Sequence, residues 1–167
     1  MADAKNFGGT RKLTTCALLA ALALIFSYIE FLLPLSLGMP GIKIGLANIV
    51  VVLALYSLGP GYALILNLVR IALSALLFGN VFSAVYALCG ALFSLAVMVL
   101  LKKTDLFSLT GVSMAGGAMH NLAQLAAAAV IAGSAKVFVY LPVLILAGMA
   151  AGIFNGAVCS LVMRKIK

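Results

Sequence analysis

Arg70 lies near the middle of an apolar run that follows Gly59-Pro60-Gly61, and Lys43 stands at the mouth of the run before it. A cation at the centre of a membrane helix costs about 2.5–3.5 kcal/mol on insertion scales. Such a residue has an anion to meet, in the protein or in a ligand. Asn67, Arg70 and Ser74 fall at i, i+3 and i+7, one face of a helix. His120, Asn121 and Gln124 follow Gly116-Gly117, with His120 and Gln124 one turn apart. Asn48 lies in the run that Lys43 opens, Asn155 in a glycine ridge, and Glu30 near the end of the first run. Polar groups in lipid must point inward and find partners. The expectation is therefore a shared cavity, where Lys43 and Arg70 attract an anionic group and Asn48, Asn67, His120, Asn121 and Gln124 hydrogen-bond it. Two readings of Arg70 stand side by side: a structural ion pair with Glu30, or an anchor for a ligand. Lys43 could equally reach the lipid headgroups, and Asn155 reads first as interhelical glue.

Catalysis finds little support in these residue types. The acids are Asp3, Glu30 and Asp105, spread over the chain. Prenyl and phosphoryl transfer rest on clustered carboxylates around Mg²⁺, and no such cluster can be built. No P-loop, G-x-S-x-G, H-E-x-x-H or G-x-G-x-x-G occurs. No catalytic residue, metal or cofactor is expected. Cys16, Cys89 and Cys159 lie far apart in apolar runs without a C-x-x-C, and read as small buried hydrophobes.

The elements that must hold these side chains follow from composition. Of 167 residues, 66% are hydrophobic and 8% charged, with a mean hydropathy of +1.30. Soluble domains carry about 25% charged residues, so this much apolar surface calls for lipid. The net charge of +8 flanks the apolar runs and forms no aromatic-interleaved basic stripe, which argues against nucleic acid. The pattern predicts an all-α membrane protein: a flexible cytoplasmic tail over 1–11, then one domain over 12–167. Its six helices fall at about 12–33, 43–58, 62–78, 82–101, 111–133 and 138–163. Pro34, Gly59-Pro60-Gly61, Gly79-Asn80 and Lys102-Lys103 interrupt them, and Pro142 sits in the first turn of the last. An even number of spans puts both termini on one side. Eight Lys and Arg lie on that side against Lys43 and Lys136 on the other, which makes it cytoplasmic.

The stretches PGIKIGLANIVVVLALYSLG, LLFGN, GVSMAGGAMHNLAQL and VYLPVLILAGMAAGIFNGAV resemble the Gx transporter family, also called component I of heptaprenyl diphosphate synthase. That family is in turn similar to the S components of energy-coupling-factor vitamin transporters, six-helix proteins of this size. The resemblance implies an S-component-like bundle and a substrate-binding role in uptake. It also implies a face, Ala17 and Ala21, that would dock a coupling subunit beside ATPases. The synthase label implies a different role, an accessory membrane partner in prenyl or quinone metabolism. A stand-alone secondary transporter is the third reading, with Glu30 or His120 titrating. The chain shows no ATP motif, so uphill transport would need separate subunits or an ion gradient.

Overall fold

The structure is a computed structural model that describes residues 8–33 and 45–166. Among the described residues there are six α-helices and no strand: α1 (Gly9–Leu32), α2 (Leu46–Ser57), α3 (Pro60–Leu77), α4 (Val81–Thr104), α5 (Leu109–Ala132) and α6 (Leu141–Ile166). A 3₁₀ segment, Ala135–Tyr140, precedes α6. The helices end where turn chemistry requires. Pro60 takes the first position of α3, where its missing N–H is no loss. The Asn80 and Ser108 side chains cap α4 and α5 by accepting from Ser83 N and Gly111 N. Helix α1 begins earlier than expected, so residues 9–11 are helical rather than part of a tail. Residues 1–7 and the proline-rich segment 34–44 lie outside the described residues.

Among the described residues five helices are long and apolar enough to cross a membrane, and α2 is the short one. With 12 residues it is about 18 Å long, well under the roughly 30 Å of a bilayer core. It is nevertheless the most enclosed helix, with Ala47, Val50, Val51, Val52, Ala54 and Leu55 all buried. Helices α2, α3, α4, α5 and α6 pack neighbour to neighbour into a closed ring, and α1 leans on α2 and α3 from outside. Large apolar side chains cover the outer surface, among them Leu18, Leu76, Leu100 and Leu146. This is a multi-pass protein of the lipid bilayer.

The α5–α6 contact is the closest in the bundle. A Cβ on Gly148 would lie 2.5 Å from the Gly117 carbonyl oxygen, and one on Gly152 would lie 2.5 Å from that of Ser113. Gly148-x-x-x-Gly152-x-x-x-Gly156 therefore brings backbone against backbone, as small-residue ridges do in lipid.

Helix α2 is held at both ends by charges from other helices. At its C-terminus Lys102 of α4 donates to the Leu55 carbonyl at 2.7 Å, and its ammonium lies 4.5 Å from the centre of the Tyr56 ring. A cation there satisfies a free carbonyl and the negative end of the helix dipole. At its N-terminus Glu30 of α1 accepts from Gly45 N at 2.5 Å and Leu46 N at 2.9 Å. Lys102→Met is expected to destabilise the bundle by roughly 1.5–3 kcal/mol, whereas Lys103→Met, at an exposed neighbour, is expected to leave stability unchanged. Thermal unfolding of the two variants in one detergent checks this.

Candidate functional site

One end of the bundle is basic, carrying Lys102, Lys103, Arg164 and Lys165 in the last turns of α4 and α6. The C-terminal turns of α2 and α6 meet there, where Ser57 Oγ approaches Met163 Sδ at 3.5 Å. From the opposite end a cavity of about 480 Å³ runs into the middle of the ring, and all six helices line it. Its walls are mainly apolar, with Ile71, Phe78, Ala87 and Met98 among them, and its polar groups are few and placed. That is the usual make-up of a small-molecule site, and the volume is in its usual range.

Helix α3 brings Arg70 to the cavity wall. Its Nη2 donates to Asn67 Oδ1 at 2.8 Å, one turn back on the same helix, and its Nη1 donates to Ser27 Oγ of α1 at 3.3 Å. Its Nε is buried without a partner. The cation thus rests on two neutral oxygens. Glu30 lines the same cavity but forms no ion pair with it, because Glu30 Oε1 is engaged by the first backbone N–H groups of α2. The ion-pair reading of Arg70 is therefore not the arrangement found. Four free N–H groups at a helix start compete for a carboxylate, and at Gly45–Leu46 they take it.

Gly45 makes this cap possible. Its φ of +74° lies in the left-handed region that favours glycine. An added Cβ would also meet Asn48 Nδ2 at 3.1 Å and Asn155 Nδ2 at 3.4 Å. Asn155 of α6 donates to the Gly45 carbonyl at 3.1 Å. The interhelical role expected of Asn155 is thus observed, and the residue also lines the cavity.

On the far wall α5 presents His120, Asn121 and Gln124. Gly90 of α4 leaves room for them: a Cβ there would sit 2.8 Å from Gln124 Cγ and 2.9 Å from His120 Cε1. Asn121 is tied back to α6, donating to the Leu144 carbonyl at 2.7 Å. Gly90→Ala is expected to displace both side chains and weaken solute binding about ten-fold or more. Titration of any bound solute against the variant checks this.

The structure places Asn48, Arg70, His120, Asn121 and Gln124 on the wall of one cavity. Asn67 does not line it; buried at 4% exposure, it stands behind Arg70 and orients the guanidinium. Lys43 lies outside the described residues. Sequence reasoning missed Ser27, Ser83, Ser94 and Ser113, all on the wall. A lone serine in an Ala-rich helix carries little signal, because it can return its hydroxyl to its own backbone. For Ser27 a signal existed in its spacing of three residues from Glu30. Ala17 and Ala21 are exposed on α1, away from the cavity.

Among the described residues no group of three or more His, Cys, Asp or Glu could hold a metal ion. Residues 19–162 match the model of a protein family described as "Heptaprenyl diphosphate synthase component I". No curated protein matches the chain, and neither does any solved structure.

Proposed function

The chain belongs to the heptaprenyl diphosphate synthase component I family, and from that premise we propose that it is a solute-binding membrane subunit of an uptake system, comparable to an S component. One observation carries the reading: a cavity lined by all six helices holds a guanidinium that makes no ion pair with the carboxylate on the same wall. An intramembrane cation that no carboxylate contacts directly is suited to a ligand's acid. In this reading Asn48, His120, Asn121 and Gln124 bond the solute, and Asn67 holds Arg70. Both termini lie in the cytoplasm of the cell membrane by charge asymmetry, so the cavity faces outward. The chain itself is not an enzyme and takes its energy from partners, with Ala17 and Ala21 as the docking face.

The family description favours a second reading, an accessory subunit for a prenyl synthase. There the basic end, with Lys102, Lys103 and Arg164, would matter and the cavity would not. Native mass spectrometry of gently purified protein separates the two. A small bound molecule, lost on Arg70→Gln, supports uptake; a co-purifying synthase with an empty cavity supports the alternative. For the docking face, Ala17→Leu with Ala21→Leu is expected to leave folding intact and abolish capture of coupling subunits. Unchanged capture would remove that assignment.

A further inference from the structure

Resting on the solute-binding reading, we propose that the solute is a zwitterion, an amino-acid-like molecule whose carboxylate meets Arg70 and whose protonated amine meets Glu30 and Asn155. Among the described residues of the cavity wall, Glu30 and Arg70 are the two charged side chains, and they are opposite in sign. They are also close. Arg70 Nη1 lies 3.3 Å from Ser27 Oγ. Ser27 and Glu30 are three residues apart on one helix, where Cβ atoms are about 5–6 Å apart. Opposite charges at this range attract strongly in a low-dielectric wall. Here each is instead supported by neutral groups, Glu30 by backbone N–H of α2 and Arg70 by Ser27 and Asn67. The two charges make no ion pair, and each keeps its own neutral partners on the cavity wall.

Each side also has an unused hydrogen-bonding atom. Gly45's carbonyl can only accept, so the nitrogen of Asn155 must face it and the oxygen is left over. That Oδ1 has no partner, and the side chain is 3% exposed. It shares the Gly45 corner with Glu30, which takes the Gly45 N–H. An ammonium group brings three donors and needs such acceptors. On the Arg70 side Nε is a buried donor without an acceptor, as a carboxylate could supply. Both atoms are closed to solvent, so a ligand would gain them only if these side chains turned toward it. A zwitterion also adds no net charge to a site surrounded by lipid. A diphosphate would leave several negative charges beside Glu30, which a low-dielectric site disfavours.

The test uses the full chain in lipid nanodiscs and thermal unfolding against a panel of probes. The probes are the protein amino acids, the matched acids lacking the amine, the matched amines lacking the acid, and inorganic diphosphate. At least one amino acid is expected to raise the unfolding temperature, with its acid and its amine binding at least about ten-fold more weakly. Glu30→Gln keeps an acceptor oxygen for Gly45 and Leu46, so α2 stays capped. It is expected to bring the amino acid down to the level of its acid, while Arg70→Gln abolishes both. The zwitterion is overturned if an acid without an amine binds as well, if diphosphate outranks the amino acids, or if no amino acid binds. It is equally overturned if Lys43→Gln, rather than Arg70→Gln, removes recognition of the acid. Binding of acids alone would leave the solute-binding reading standing. Silence of every probe, with ligand-free protein in native mass spectrometry, would remove both.

Discussion

Arg70→Met is expected to yield a protein that folds at least as well as the wild type and binds its solute about a hundred-fold or more weakly. The two halves have different origins. Stability should not fall, because the guanidinium is an intramembrane cation that makes no ion pair, costing about 2.5–3.5 kcal/mol on insertion scales. Its hydrogen bonds to Ser27 and Asn67 offset part of that cost. Met fills similar volume without the charge. Binding should fall because losing one partner of a desolvated charge pair costs roughly 2–5 kcal/mol. Thermal unfolding and solute titration on the same preparation read both quantities. A variant that aggregates or unfolds early, alone among cavity substitutions, would make Arg70 a structural residue and remove the main support for a carrier.

Gly117→Ala is expected to prevent assembly of the bundle, at a cost of about 3 kcal/mol or more. A Cβ at this position collides with the Gly148 carbonyl, and lies 3.2 Å from the Gly152 Cα. Both are backbone atoms that no rotamer change can move. Overpacking that a side chain can absorb costs about 1–3 kcal/mol; here two helices must separate. Since α5 and α6 form two of the five sides of the cavity ring, binding would be lost with folding. Gly61→Ala is the control: nothing lies within 4 Å of its Cβ position, and it sits in the first turn of α3. That variant should match or slightly exceed wild-type stability. Size-exclusion profile and unfolding temperature distinguish the outcomes, and a well-folded Gly117→Ala would show that the α5–α6 approach is looser than found.

Much of this molecule is legible in its sequence. Lipid cannot satisfy backbone or side-chain polar groups, so apolar runs bounded by Pro34, Gly59-Pro60-Gly61 and Lys102-Lys103 had to be helices. For the same reason Arg70, Asn48, His120, Asn121 and Gln124 had to turn inward. The glycine spacing of 148, 152 and 156 can be read from the sequence as a ridge that lets helices approach closely. All of these are properties of one helix at a time, and its fixed rise and twist make them readable from spacing. The partners of the inward groups are not such properties. Whether Glu30 meets Arg70 or the start of α2, whether Asn67 faces the cavity or braces the cation, and which serines reach the wall depend on how helices far apart in sequence are rotated against one another. That rotation is set by contacts such as Gly117 on Gly148 and Lys102 on Leu55. Only the packed bundle decides it, because several rotations satisfy the rule that polar groups point inward, and backbone N–H groups compete with side chains for the same few charges.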